Sequence, residues 1–167
     1  YAVPNFVEAS AKRVPTVVSL HGYGNTCPGT QYFWSQGEQI CRRDFGPVCL
    51  THAYLKRCNN RHTRRLIDSY MRCMREKRLR NKAQAYVVYS EYHLELLLQH
   101  NYERDRIHVV PHGVDTSKFG IKDSQYENVV LFVGRLGVVK GVQYLLQAME
   151  QVTKPCLIAI VGDGNYR

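Results

Sequence analysis

The sequence lacks long apolar runs and several common binding motifs. Its 167 residues contain no stretch of about 18 consecutive apolar residues, the length that a membrane-spanning helix needs. It has neither a Walker P-loop nor a G-x-G-x-x-G fingerprint. Its six cysteines include no C-x-x-C pair, which argues against a zinc knuckle. Because alternating strand and helix patterns promise a normal core without disulfides, we expect ordinary thiols in a reducing cytoplasm.

Acidic residues are scarce between residues 56 and 82, and this segment accounts for the net charge. It holds 11 Lys or Arg against Asp68 and Glu76, while the whole chain has a net charge of +9. Its apolar residues recur at helical spacing, which predicts a basic amphipathic helix over 61–82: Leu66, Ile67, Tyr70, Met71, Met74 and Leu79.

A basic helix has three interpretations. A solvated face is the default, because a charge run needs no partner. A peripheral contact with anionic lipid at the inner face of a membrane ranks second. Nucleic acid ranks last and is not expected, because Tyr70 is the only aromatic residue in 56–82 on which a base could stack.

Outside the basic segment, β-branched runs alternate with helical patterns. This alternation predicts an α/β fold with parallel sheets covered on both faces, and a polar break near 111–128 suggests two sheets. No clear pattern emerges over 31–60. Ligands of such sheets lie beyond the carboxyl ends of the strands. The predicted strands are 16–20, 85–89, 106–110, 129–133 and 156–161, and helices are predicted over 61–82, after Ser90 and over 141–152.

The stretch "VVLFVGRLGVVKGVQYLL", residues 129–146, places two cations where a strand gives way to a helix. Gly134 follows the strand, and Arg135 and Lys140 flank the loop. Cations beside the start of a helix suit an anion such as a phosphate or diphosphate. Two solvated cations on a surface loop remain the alternative.

Four stretches together resemble the family 4 (group 1) glycosyltransferases of the GT-B fold. They are "TVVSLHGYGNTCP", "RIHVVPHGVDTSKF", "VVLFVGRLGVVKGVQYLLQAM" and "LIAIVGDGNYR", in that order. The resemblance implies a retaining, cytoplasmic enzyme that moves a hexose from a nucleotide-diphosphate sugar to a sugar or lipid-linked acceptor, with no cofactor or bound metal. It implies an internal fragment of two Rossmann-like domains. Residues 1–110 would form the later part of the N-terminal, acceptor-side domain, 111–128 the connection, and 129–167 the first βαβ unit of the nucleotide-sugar-binding domain.

The resemblance also implies roles for individual residues. The motif that binds the donor diphosphate in the family matches Gly134, Arg135 and Lys140. His21 matches the family histidine that faces the donor sugar, and is the expected catalytic residue. Its neutral imidazole could bond a sugar hydroxyl or share charge in an oxocarbenium-like transition state. In the loop after the last strand, Gly162 and Gly164 are expected near the nucleotide, with a plain turn as the alternative.

The sequence departs from the family pattern at several positions. Gly22 stands where an acidic residue often follows the histidine, His112 where asparagine is common, and Val139 where an acidic or polar residue is common. The glycine-rich loop and the E-x7-E pair of the family lie outside this sequence, so we expect the fragment to be inactive alone. Some family members carry several cysteines in the loop after the histidine, which leaves a structural metal or redox pair open at Cys27, Cys41, Cys49 and Cys58.

Two other functions remain as alternatives. A GT-B-fold sugar-nucleotide epimerase shares the architecture but does not usually carry this arginine-to-lysine loop. A noncatalytic basic module would bind membrane or nucleic acid through residues 56–82. Nucleotide-diphosphate affinity that does not depend on Arg135 and Lys140 would refute the transferase, whereas lipid or nucleic-acid binding that is lost only when the basic helix is neutralised would support the module.

Overall fold

The computed structural model describes Val7 and residues 10–120 and 128–165. The chain forms two compact units, Tyr1–Gly113 (unit 1) and Val114–Arg167 (unit 2). Part of the predicted connection over 111–128 lies outside the described residues.

Unit 1 is built on a three-stranded parallel sheet. Its strands are β1 (Val17–Ser19), β4 (Ala85–Val88) and β5 (Ile107–Val109), in the order β1-β4-β5. In the register, Ser19 lies beside Val87, which in turn lies beside His108. The predicted strands at 16–20, 85–89 and 106–110 are therefore confirmed, each shorter than its sequence pattern suggested.

The helices of unit 1 follow the sequence pattern where that pattern was clear. Helix α2 (Thr63–Leu79) is the predicted basic helix. Helix α3 (Glu91–Gln99) starts at Ser90, whose side chain accepts a hydrogen bond from the backbone N–H of His93 at 3.2 Å. This bond satisfies one of the donors left open at a helix start, which explains why the helix begins here.

Residues 31–60 contain a short hairpin and one helix. Strands β2 (Phe33–Trp34) and β3 (Gln39–Ile40) pair antiparallel, and helix α1 (Val48–Leu55) follows. Gly37 and Glu38 have positive φ in the connecting turn, a conformation that glycine adopts without steric cost. This part has few buried apolar side chains; among them are Tyr32, Phe45 and Ala53.

The core of unit 1 lies on one face of the sheet. Side chains from all three strands, including Val18, Val88 and Ile107, pack with Leu94 and Leu97 of α3. On the other face Val17 is 63% exposed, and Ser19 and His108 are exposed as well. Among the described residues α3 packs on the core face, and cover of the second face stays a prediction.

Unit 2 contains a βαβ unit, as the sequence predicted. Strands β6 (Val129–Val133) and β7 (Leu157–Val161) run parallel and pair along their whole length, with helix α4 (Val142–Met149) between them in the chain. One face is again open, since Leu131 is 61% exposed. The parallel sheets of both units confirm the predicted α/β class with Rossmann-like GT-B parts. Within the described part of the chain, no helix has the length and apolarity needed to cross a membrane.

Candidate functional site

Four polar side chains meet at the carboxyl ends of the unit 1 strands. Successive residues of a strand point to opposite faces, so Ser19 and His21 share a face, as do Val87 and Tyr89. The register places Ser19 beside Val87, which puts both pairs on the same face. It is the face opposite the core, and the loop after β5 brings His112 to it.

The hydroxyls of Ser19 and Tyr89 surround one nitrogen of His21. The Oγ atom of Ser19 lies 3.2 Å from Nε2 of His21, and the Tyr89 hydroxyl lies 3.1 Å from the same atom. The two hydroxyls are also hydrogen-bonded to each other. All three groups are therefore held in one small network before any ligand binds.

The rings around this network pack closely. The ring of His112 is stacked on that of Tyr89, and the ring of His21 lies tilted against the same phenol with centroids 4.7 Å apart. The centroids of the two imidazoles are 5.9 Å apart. We call Ser19, His21, Tyr89 and His112 the imidazole cluster. It joins the loops that follow β1, β4 and β5.

The imidazole cluster borders a cavity of about 430 Å³ inside unit 1, to which Ser19 and His21 contribute. Its wall is partly apolar and also includes Arg72 and Glu76 of α2 and the buried Asn25. Burial raises the pKa of the Glu76 carboxyl above its ordinary value, and the positive charge of Arg72 opposes this shift without cancelling it. The cavity therefore favours the neutral form of Glu76.

Arg135 and Lys140 lie in unit 2, beyond the carboxyl end of β6. Lys140 ends a single 3₁₀ turn, Val138–Lys140, and is followed by Gly141 in the left-handed conformation. Both cations are exposed. Neither has an ion-pair partner among the described residues, so their charges are open to an anion from solvent.

Gly162 and Gly164 lie against the loop that carries Arg135. The backbone N–H of Gly134 donates to the carbonyl of Val161 at 2.9 Å. A side chain at Gly162 would overlap the carbonyl oxygen of Gly134, and one at Gly164 would overlap that of Leu136. The two glycines are thus required by the close approach of two backbones. A contact between them and a nucleotide stays a prediction.

The cysteines for which the sequence left a metal or redox role open lie around one small cavity of about 30 Å³. All are unbonded thiols. Burial, followed by the nearby thiols, raises the pKa of Cys58 to about 11 and also raises that of Cys49. Among the described residues, no group of three or more His, Cys, Asp or Glu side chains is arranged to hold a metal ion. The cavity is lined by Cys27, Cys41, Cys49 and Cys58.

The predicted site residues are divided between the two units. Gly134, Gly162 and Gly164 meet at the carboxyl ends of β6 and β7, next to Arg135. His21 belongs to unit 1, where its partners are Ser19 and Tyr89. Sequence reasoning missed both of these. The two-residue alternation of each predicted strand, continued past the strand end, is the pattern that could have identified them.

Comparison with known proteins gives one result. Residues 1–118 match the model of Glycosyltransferase Family 4. No curated protein and no solved structure matches the chain. The family model spans all of the imidazole cluster and well over half of the chain, so the chain belongs to glycosyltransferase family 4.

Proposed function

We propose that this chain is part of a retaining transferase that moves a hexose from a nucleotide-diphosphate sugar to a sugar or lipid-linked acceptor. In such a reaction the nucleoside diphosphate leaves, and its negative charge grows as the glycosidic bond breaks. Cations placed at the diphosphate stabilise that charge. They also hold the donor in the ground state, so they affect both affinity and rate.

The observation that carries this proposal is the setting of Arg135 and Lys140. They follow a parallel strand at its carboxyl end, where α/β sheets bind ligands. Both are exposed, and no acidic side chain of the described residues neutralises them. Gly134 and Gly162 hold the backbone beside Arg135 through close packing.

His21 has the second role in the proposal. Its imidazole would contact the transferred sugar, either bonding a hydroxyl or sharing charge with an oxocarbenium-like transition state. The hydrogen bonds to Nε2 support this role, because they restrict the ring. Retention of configuration, the hexose and the diphosphate donor come from the family resemblance described above.

Binding of nucleoside diphosphates to the chain tests the proposal. Calorimetric titration with UDP, GDP and ADP should give binding of at least one of them. Changing Arg135 or Lys140 to Ala should weaken it about 10-fold or more, because a charge-assisted hydrogen bond contributes roughly 1.5–3 kcal/mol.

Lys154 provides the matched control. It is also an exposed cation of unit 2, but it precedes β7 and so lies toward the amino ends of the strands. Lys154→Ala should change affinity by no more than about twofold, since an exposed, distant charge contributes little. The same variants should be compared in the complete protein, where unchanged affinity in Arg135→Ala and Lys140→Ala, or equal losses in all three variants, would overturn the proposal.

A second proposal concerns helix α2 and an anionic membrane surface. One stripe of the helix carries three exposed cations, Arg64, Arg75 and Arg78. Two apolar residues lie between them on the same stripe, Ile67 (51% exposed) and Met71 (46% exposed). Apolar side chains flanked by arginines suit the boundary between lipid headgroups and acyl chains.

Vesicle sedimentation tests this second proposal. Neutralising the three arginines with Gln should weaken binding to phosphatidylserine-containing vesicles about 100-fold at low salt, at roughly 1 kcal/mol per cation. The control changes Arg42, Arg43 and Lys154 to Gln, which removes the same charge elsewhere. If both triple variants bind the vesicles equally well, or if the unaltered chain does not bind anionic vesicles, the proposed membrane contact is refuted.

A further inference from the structure

The hydroxyl of Tyr89 occupies the centre of the imidazole cluster. It is hydrogen-bonded to Ser19 and lies 3.1 Å from Nε2 of His21. No hydrogen bond to the other ring nitrogen, Nδ1, is present among the described residues. Nε2 is therefore the nitrogen that the protein holds, and Nδ1 is the one open to a ligand.

The protons in this network can be counted. Ser19 and Tyr89 each have one hydroxyl proton, and Nε2 of a neutral imidazole either carries a proton or accepts one. If Ser19 donates to the oxygen of Tyr89, and Tyr89 donates to Nε2, both hydroxyl protons are used. The ring proton of His21 must then reside on Nδ1.

The chemistry of the groups favours this direction. A phenol, with a pKa of about 10, is a stronger acid than a neutral imidazole N–H. The unprotonated imidazole nitrogen is in turn the better acceptor of the two. A bond donated by Tyr89 to His21 is therefore stronger than the reverse.

The rings on either side keep the phenol in place. The ring of His112 lies parallel to it, with centroids 3.8 Å apart, and the ring of His21 lies against it as well. Tyr89 directly follows β4, so its backbone is also fixed by the sheet. Little rotation remains for the side chain, which keeps the hydroxyl on Nε2.

We propose that Tyr89 is a positioning residue for His21: its hydroxyl donates to Nε2, fixes the ring, and leaves Nδ1–H as the donor for a hydroxyl or ring oxygen of the bound sugar. This rests on the proposed transferase function, because only a ligand at His21 gives the orientation a use. Tyr89 itself need not touch the substrate.

The protonation state of each ring nitrogen can be read from ¹⁵N chemical shifts. Spectra of the labelled chain at about pH 8, where an ordinary histidine is neutral, should show His21 protonated on Nδ1. The His21→Asn variant identifies its signals among those of the seven histidines. Protonation on Nε2 in the unaltered chain would refute the proposal at once.

Two variants separate the contribution of Tyr89 from that of Ser19. Ser19→Ala should keep the proton on Nδ1, because Tyr89 still donates. Adding Tyr89→Phe to that variant should give a mixture of the two tautomers. The matched double variant combines Ser19→Ala with Tyr92→Phe, which removes a hydroxyl from an exposed ring of α3, and should behave like Ser19→Ala alone.

Two results would contradict the role of Tyr89. If the Nδ1–H form is lost in Ser19→Ala, Ser19 rather than Tyr89 fixes the tautomer of His21. If the Nδ1–H form persists in the Ser19→Ala/Tyr89→Phe variant, another group fixes the tautomer. These spectra require neither turnover nor nucleotide binding. The transferase proposal depends instead on the Arg135 and Lys140 titrations, so either proposal can fail while the other stands.

Discussion

The imidazole of His112 stacks on the phenol of Tyr89, with ring centroids 3.8 Å apart and planes 11° apart. The two residues follow different strands, β5 and β4, so the stack ties two loops together at the carboxyl edge of the sheet. The family resemblance predicts an asparagine at position 112. An asparagine could not provide this ring contact.

Removing the stacked ring should change the environment of Tyr89. In the His112→Ala variant, the ring protons of Tyr89 should lose the part of their chemical shift that the ring current of the His112 imidazole causes. Proton NMR measures this change. His108→Ala is the control, because His108 is an exposed histidine of β5 and makes no ring contact with Tyr89. Equal shifts in both variants would mean that the stack does not exist in solution.

A methyl group at Gly164 should destabilise unit 2. It would overlap the carbonyl oxygen of Leu136, whereas a methyl group at Gly137 would meet nothing within 4 Å. We expect Gly164→Ala to lower the free energy of unfolding by about 1–3 kcal/mol, the usual cost of overpacking. Urea denaturation measures the change. Gly137→Ala, in the loop after β6, should have a much smaller effect, and a loss as large as that of Gly164→Ala would show that the close approach is not the cause.

The raised pKa of Glu76 has a consequence for stability. As pH rises above about 4, the carboxyl ionises in the unfolded chain before it does in the folded one. Stability is therefore lost as pH rises through the folded-state pKa, and Glu76→Gln should be more stable than the unaltered protein at pH 7. The difference should vanish near pH 3, well below the ordinary pKa of a glutamate of about 4.3, where Glu76 is protonated in both states.

Urea denaturation at the two pH values measures the Glu76 effect. The exposed Glu95 of α3 is the control, and Glu95→Gln should not reproduce the pH-dependent gain. A Glu76→Gln variant that is no more stable than the unaltered protein at pH 7 would show that burial does not penalise this carboxylate.

The thiols of Cys58 and Cys73 should react slowly with iodoacetamide. Burial raises the pKa of Cys58 to about 11 and that of Cys73 to about 12. Only the thiolate reacts, and at pH 8 a thiol of pKa 11 is ionised in about one molecule in a thousand. Mass spectrometry of the alkylated peptides should find both cysteines modified later than the partly exposed Cys156. In urea the difference should disappear, and its persistence there would rule out burial as the cause.

The sequence predicted elements whose patterns repeat several times within one segment. Helix α2 was identifiable because its apolar side chains recur over 17 residues, and α3 because Ser90 supplies a recognisable cap. Residues 31–60 gave no clear pattern, because strands of two residues are too short to show a period and the apolar residues of α1 are spread around the whole helix. The exposure of Val17 was also missed, since composition does not say which face a helix will cover.

The imidazole cluster required information that no single segment contains. His21 was recognised from the residues around it, but Ser19 and Tyr89 lie 70 positions apart in the chain. Their proximity depends on the register between β1 and β4. The role of Gly164 was likewise hidden, because its neighbour Leu136 lies in the loop that follows the other strand of the pair.

The backbone around Arg135 is anchored on both sides. The N–H of Gly134 donates to Val161, and that of Leu136 donates to Asp163, each at 2.9 Å. The Cα position of Arg135 is therefore set by the sheet before an anion arrives, so an anion that binds there orders mainly the arginine side chain. Preorganisation of this kind lowers the entropic cost of binding. The two hydrogen bonds also couple the loops after β6 and β7, so a displacement of either loop would move Arg135.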